Sequence, residues 1–554
     1  MCGIWLKILK QISGGPNCDS EISEPGEELE KRGPDCIQKI TLEDLELIGC
    51  VLHLRGPQII SQPIGSDRRW LLWNGEAYGN NVYGNLNFDM LSNDTSQIFS
   101  YLASANPIQV LSQIEGCFAF VYINDKEIWF GRDFLGRRSL VISRNESSYT
   151  VCSLGNGTQV PTGGLFRIDL EKNTCNFVSW PYEGLITPSS LRFNNSDLVI
   201  EDYEKTLENS VQKRTIGTGD LGILFSGGLD CTVIAALALR NTISTLKIFL
   251  INVAFAFDAP DRLTAITSYE ELKMLEQGNR FELLLVDIGD EEIEANRNRI
   301  VGLMGNNNSR MDFSIATALY FASRGEGRRY EDKSFMRFDG KILLSGMGAD
   351  EIFGGYSRYR SNFKHYGNDG VVREMCLDLD RLWHRNLGRD DRVTACHSRE
   401  LRFPYLDTHL WQSLSKLTLD QVTDMRIPGK EKFLLRNLCR KLGLNQPSDF
   451  KKRAIQFGTR ISKLCNMKDF GSNRKAKGWQ SIDKSATATF EEELEFCCKN
   501  LEEKISEVSE EEKDKLMKTL NKLKNPSIKT KDKRHLMRVY LGDYTSHMTE
   551  DFDD

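Results

Sequence analysis

Apolar and polar positions divide this chain into short apolar runs that end in glycine and longer stretches with helical spacing. Leu221 to Phe225 is an apolar run that stops at Ser226-Gly227-Gly228-Leu229-Asp230, and Val233 to Leu239 then reads as a helix. Lys341 to Leu344 repeats the device, ending in Ser345-Gly346-Met347-Gly348-Ala349-Asp350. Lys247 to Val253 and Phe281 to Val286 predict two more strands, and Ser268-Tyr269-Glu270-Glu271 reads as the capping-box start of a helix. Behind a candidate cap at Ser196, the positions Ile200, Tyr203, Leu207 and Val211 fall on one helical face. Strands alternating with helices predict a parallel sheet whose ligands sit at the strand carboxyl ends. From Phe490 the chain is densely charged, with Leu494, Cys497, Leu501, Ile505 and Val508 at helical spacing. That pattern suits an amphipathic helix docked on the body or on a partner, and equally a solvated one. Pro526 closes the next helical region, His535 to Asp543 reads as one more short element, and Thr549 to Asp554 should fray.

Composition narrows the classes. A chain of 554 residues is too long for one core, so at least two domains are expected. No apolar run is long enough to span a bilayer, and Ile4 to Leu9, broken by Lys7, is no signal-peptide core. A net charge of −6 without a dominant basic cluster gives no general reason to bind nucleic acid. The fourteen cysteines are scattered, and neither Cys2 nor Cys497-Cys498 has zinc-ligand spacing. A cytoplasmic protein with mostly free thiols is the expectation.

Three features carry chemistry. Glycines at a strand-to-helix turn let backbone N–H groups approach an anion, where the helix dipole adds positive potential. Asp230 and Asp350, each behind such a loop, have the hard oxygen ligands that could share one Mg²⁺ on a pyrophosphate. A cysteine directly behind Met1 would, after methionine removal, carry a thiol nucleophile and an α-amine base in one residue. Each has a bland alternative: a tight turn, a helix cap, and a buried strand start.

Order along the chain decides among these. Arg32-Gly33-Pro34-Asp35, Leu54-Arg55, Trp73-Asn74-Gly75-Glu76, Asn93-Asp94-Thr95, Glu115-Gly116-Cys117-Phe118-Ala119-Phe120 and Phe130-Gly131-Arg132-Asp133-Phe134-Leu135-Gly136 follow Cys2. That series resembles class II glutamine amidotransferase domains of the N-terminal-nucleophile type. Ser226 to Asp230 resembles the pyrophosphate loop of enzymes that split ATP into AMP and pyrophosphate, and lacks the Gly-Lys-Ser/Thr ending of a Walker loop. With Leu382 to Arg392 and Arg399-Glu400-Leu401-Arg402-Phe403-Pro404-Tyr405-Leu406-Asp407, the second half resembles the asparagine synthetase family.

The resemblance implies stacked antiparallel sheets over 2–183, a linker over 184–195, a parallel α/β ATP-pyrophosphatase domain over 196–484, and a charged helical tail over 485–554. It implies Cys2 as nucleophile, with the Asn74 side chain and the Gly75 N–H as oxyanion hole. Arg55 would hold the glutamine carboxylate, and Glu76 and Asp94 its ammonium. Ser226, Gly227, Gly228, Asp230, Ser345, Gly346 and either Lys452 or Arg453 would bind ATP, with Asp230 and Asp350 on Mg²⁺. The implied substrates are glutamine and a carboxylate acceptor, aspartate by analogy, with self-association or a protein partner left open for the tail. Two positions depart from the family. Met347 stands where a glutamate, the supposed base for ammonia addition, belongs, and the lysine of the later segment falls on Lys452 or Arg453. Cys231 stands where Ser or Thr is common. His384 and His397 have no nucleophile to pair with and read as structural.

Overall fold

A computed structural model describes residues 2–15, 22, 26–145, 147–181, 201–276, 278–427, 429–470 and 482 and, in the tail, 494, 498, 501–502, 505, 510–528 and 533. The expected linker, Ser196, Ile200, Cys497, Val508 and the element at His535 to Asp543 lie outside the described residues. The chain forms two compact units, one of residues 1–307 with 312–461 and one of 308–311 with 462–554. In the second, the helix Glu510–Lys524 ends two residues before Pro526 and buries Leu516, Leu520 and Leu523. Among the described residues no helix is long and apolar enough to cross a membrane, and every cysteine is a free thiol.

The larger unit holds three sheets. The first runs Thr158–Gln159, Val141–Arg144, Tyr149–Cys152, Gly3–Ile8, Leu45–Val51, Cys36–Leu42, antiparallel throughout. The second runs Ser13–Gly14, Thr174–Ser179, Gly164–Asp169, Glu127–Arg132, Ile114–Asn124, Arg69–Asn80, Ile64–Ser66, antiparallel except for its first pair. Period-two alternation explains the stacking. Ala119, Val121 and Ile123 face a core shared with Ile4, Leu6 and Ile8 of the first sheet. Their neighbours Phe118, Phe120 and Tyr122 face Ile98 and Leu102 of the helix Asp94–Ser104. A strand covered on both faces must be apolar at every position, as Ile114–Asn124 nearly is.

The third sheet runs Phe335–Arg337, Glu326–Arg329, Phe281–Asp287, Ile248–Ala254, Leu221–Leu224, Ile342–Leu344, Glu400–Arg402. Its last five strands are parallel, and the first two add antiparallel pairs at the edge. Strand order reverses beside Leu221–Leu224, so both glycine loops leave the sheet at a topological switch point, where open α/β sheets bind ligands. Tyr203, Leu207 and Val211 are buried on the helix Glu201–Thr215.

The helix expected to begin at Ser268 begins at Pro260 and runs to Leu275. Proline at the first helical position needs no N–H partner, so it is the true start signal. The Ser268 hydroxyl instead donates to the Gly227 carbonyl at 2.6 Å and braces the glycine loop.

Candidate functional site

A buried polar cluster and a polar pocket of the larger unit carry the candidate chemistry. In the first, Cys2 lies one residue before the strand Gly3–Ile8, and its N–H donates to Asn74 Oδ1 at 3.0 Å. Asn74 is fully buried, and its Nδ2 has no hydrogen-bond partner among the described residues. An orphaned buried amide donor beside a thiol is the arrangement an oxyanion would complete. Gly75 follows at φ +153°, and a Cβ there would lie 1.9 Å from the Cys117 carbonyl, so only glycine fits. The Gln62 amide reaches the Cys2 sulfur at 3.9 Å, and the Arg32 guanidinium donates to the Cys2 carbonyl at 3.2 Å. Burial pushes the Cys2 thiol up, so the nucleophile needs a base. Met1 lies outside the described residues.

Arg55 sits between two carboxylates, Glu76 at 3.4 Å and Asp94 at 3.4 Å, all three nearly fully buried. The Asp94 carboxylate also accepts from Trp73 Nε1 at 3.2 Å and the Ala77 N–H at 2.9 Å, which fixes its place. Among the described residues Glu76 accepts no such bonds, and burial, with Asp94 alongside, pushes its pKa up to about 7. One planar cation flanked by two anions is complementary to an α-amino acid head group, which carries both charges.

The pocket opens at the switch point. It is lined by Ser226, Gly228, Asp230, Asp261, Thr264, Asp350, Gly355, Lys432, Lys452 and Arg453 among others. Gly227 has φ +73°, and a Cβ there would stand 2.3 Å from the Ala265 backbone. The loop is held from below: Thr264 Oγ1 donates to the Ser226 carbonyl at 2.7 Å, and the Ser226 hydroxyl accepts from the Gly228 N–H at 3.2 Å. Cys231, in place of a hydroxyl residue, contacts Ser226 Oγ at 3.5 Å and donates to the Gly228 carbonyl at 3.3 Å. The second loop closes against the first, since a Cβ on Gly346 would be 3.1 Å from the Asp230 Cβ. Met347 is partly buried, its N–H donating to Ser345 Oγ at 3.2 Å.

Sequence reasoning missed Lys432. Its ammonium lies 2.7 Å from Asp230 and 2.7 Å from Asp350, the two expected metal ligands. Burial works against that charge, but the two carboxylates outweigh it and push the lysine up to about 12. Lys452 approaches Asp350 at 3.1 Å, and with Lys432 it holds that carboxyl well below the usual range against the pull of burial. Lys432 adopts φ 56°, uncommon for a residue with a side chain, at the start of the helix Phe433–Lys441. Two carboxylates already clamping a cation have the charge and donor type a divalent ion needs. Arg453 is exposed on the cleft rim, and with Lys452 it partly offsets the burial that pushes Asp261 up to about 7. Asp261 and the buried Glu351 were also not read from the sequence. Glu351 accepts from the Tyr356 hydroxyl at 2.7 Å, and burial and the neighbouring Asp350 push it up to about 7. Replacing Gly227 with alanine is expected to displace the loop and weaken nucleotide binding at least ~10-fold, readable by calorimetric titration with ATP.

Buried ion pairs tie the Glu76 cluster to the third sheet. Arg32 pairs with Asp391 at 2.8 Å, Arg138 with Glu400 at 3.3 Å, and Arg402 with Glu400 at 2.7 Å and Glu76 at 3.8 Å. Glu115, Asp407 and His409 have metal-ligand types within 4.8 Å of one another. Arg137 and Arg214 at 3.3 and 2.9 Å from Glu115, and Arg214 at 2.6 Å from Asp407, already satisfy those carboxylates. Such pairs fix geometry more than they add stability. Asp133 pairs with Arg137 at 2.9 Å and also accepts the Phe118 N–H. Burial pushes His384 and His397 down to about 4 and 3, so both stay neutral at pH 7.

The Asparagine synthase family matches residues 202–367 and 363–460, and a domain of unknown function, DUF4615, matches residues 489–554. Human asparagine synthetase domain-containing protein 1 is 28% identical over 603 residues, covering 80% of this chain and 93% of that protein. The asparagine synthetase domain-containing protein of Saccharomyces cerevisiae is 30% identical over 476 residues, covering 78% of this chain and 87% of its own. Mouse glutamine-hydrolyzing asparagine synthetase is 26% identical over 484 residues, covering 79% of this chain and 80% of its own. With a relative 30% identical over most of both chains, this protein belongs to the family of asparagine synthetase domain-containing proteins.

Proposed function

We propose that the protein is a glutamine-dependent, ATP-using amidotransferase with a weakened amide-forming step. The observation that carries the reading is the assembly of Cys2, Asn74, Arg55, Glu76 and Asp94 in one buried cluster, from stretches far apart in sequence. In the mature chain the Cys2 amine takes the thiol proton as sulfur attacks the glutamine carbonyl. Asn74 Nδ2 and the Gly75 N–H take the oxyanion, ammonia leaves, and water releases glutamate from the thioester. Arg55 holds the glutamine carboxylate, and Glu76 and Asp94 hold its ammonium.

In the polar pocket the Ser226–Gly228 and Ser345–Gly346 loops cradle the phosphates of ATP, with Lys432 and Lys452 supplying positive charge. Lys452, already on Asp350, fits the lysine role better than Arg453. Mg²⁺ held by Asp230 and Asp350 would neutralise phosphate charge there. Attack of the acceptor carboxylate, taken as aspartate, on the α-phosphate expels pyrophosphate, and ammonia then displaces AMP. Two separate sites keep ammonia unprotonated and the mixed anhydride away from water.

Met347 favours a reduced second step. A proton must leave nitrogen as the C–N bond forms, and a thioether cannot accept it. Loss of a general base costs about 10²–10⁴-fold, which slows amide formation without stopping adenylation. AMP release is therefore expected to exceed asparagine formation, and Met347→Glu should raise the asparagine-to-AMP ratio. One asparagine per AMP in wild type, at about 1 s⁻¹ or faster, overturns the weakened-base reading. An interaction or assembly role that has dispensed with catalysis is the competing reading, again on Met347. Neither glutamate nor AMP would then be formed.

A further inference from the structure

Arg402 touches the chemistry of both halves. Its strand, Glu400–Arg402, pairs in parallel with Ile342–Leu344. Just past that pairing the Arg402 carbonyl accepts from the Ser345 N–H at 2.9 Å, so its backbone fixes the first residue of the Ser345–Asp350 loop. The guanidinium of the same residue reaches the buried cluster. Nε donates to Glu400 at 2.7 Å, and Nη1 donates to the Arg214 and Ile216 carbonyls at 3.0 and 2.6 Å. Nη2 makes no hydrogen bond among the described residues and lies 3.8 Å from Glu76 Oε1. The side chain is fully buried. The fork is held by Glu400 of its own strand and by the Arg214 and Ile216 carbonyls, so Nη2 is displaced when that strand shifts together with the groups that hold the fork.

The charge of Glu76 depends on that distance. Among the described residues, the charged groups that bear most on this carboxylate are Asp94, at the start of its helix; Arg55, beyond the strand Leu45–Val51; and Glu400 and Arg402, from the third sheet. Burial and Asp94 push its pKa up to about 7, and Arg55 and Arg402 oppose them. Removing Arg402 takes away a cation that favours the charged form, so Glu76 would hold its proton to higher pH.

We propose that Arg402 is a positioning residue that ties glutamine binding at Glu76 to the state of the Ser345–Asp350 loop. This rests on the glutamine and ATP sites proposed above. ATP bound at the loop shifts the Arg402 backbone, the guanidinium changes its approach to Glu76, and glutamine affinity changes with it. Coupling of this kind is reciprocal, so glutamine alters ATP affinity by the same factor.

The test uses full-length wild type, Arg402→Met and Arg402→Lys, measuring glutamine kcat and KM from pH 6 to 8.5 with and without ATP and Mg²⁺. ATP is expected to change the wild-type KM. Arg402→Met should raise KM at pH 7 by ~10-fold or more while kcat moves by less than ~3-fold, the signature of lost substrate binding. The low-pH limb of kcat/KM should move to higher pH, and the KM should stop responding to ATP. Arg402→Lys should restore the pH limb, because the charge returns, and not the ATP response, because the fork does not. Calorimetric titration with ATP checks that each variant is folded; if Arg402→Met is not, Arg402→Lys carries the test by its missing ATP response. A wild-type KM indifferent to ATP, variants with wild-type KM and ATP response, or a pH-independent loss of kcat alone overturns the coupling. A wild type that hydrolyses no glutamine overturns the proposed function and this inference with it.

Discussion

Cys2→Ala is expected to lower glutamine hydrolysis by roughly 10⁴-fold or more, since the variant loses the only atom that forms the thioester. Its fold should be kept. Alanine is smaller than cysteine, and the N–H that donates to Asn74 belongs to the backbone and stays. ATP binding at the polar pocket should therefore be unchanged. A diazo-ketone glutamine analogue should label Cys2 in the wild type and leave the variant unlabelled, with mass spectrometry finding a mature chain that lacks Met1. Retention of Met1 in protein from the native source would block the amine and contradict the mechanism. Labelling in the variant would place the nucleophile elsewhere.

The second large effect concerns Asp230, Asp350 and Lys432. Removing both carboxylates leaves the Lys432 ammonium, now unpaired, facing the phosphate loops. The double variant Asp230→Ala, Asp350→Ala should consequently lose the Mg²⁺ dependence of ATP binding, while keeping weak, Mg²⁺-independent affinity through Lys432 and Lys452. Calorimetric titration of ATP with and without Mg²⁺ reads this directly. Equal affinity for ATP·Mg²⁺ in the wild type and the double variant would remove both residues from the account. Lys432→Met is the complement. It strands Asp230 in a partly buried cleft and leaves Asp350 with Lys452 alone, which should cost about 3 kcal/mol of stability, discounted for the exposure that remains. Because the missing charge is a cation, added Mg²⁺ should recover part of the loss. A denaturation midpoint indifferent to Mg²⁺ would contradict the idea that this position suits either cation.

Much of the scaffold is legible in the sequence because it is local. The run Leu221 to Phe225 followed by Ser-Gly-Gly is a strand and turn on its own terms, and the strands at 248–254, 281–287 and 342–344 follow from short apolar runs. Local signals also mislead. Ser268 with Glu271 fits a capping box, yet Pro260 had already begun the helix, and the Ser268 hydroxyl serves a carbonyl 41 residues away. What pattern reading does not reach is long-range pairing of charge. Lys432 lies 202 residues from Asp230, and nothing in its neighbourhood singles it out from seventy-one other basic side chains. Arg402 stands in a motif that assigns it no role, because its contact with Glu76 joins residues from the two ends of the larger unit's sequence. The glutamine cluster depended on resemblance for the same reason. Arg55, Glu76 and Asp94 are ordinary surface types until folding buries all three within 3.4 Å contacts.

A single reaction tests whether ammonia released at the first site reaches an acceptor activated at the second. Full-length protein with glutamine, ATP, Mg²⁺ and aspartate should yield glutamate and AMP, with asparagine formed at less than one per AMP. Absence of both glutamate and AMP would contradict the account.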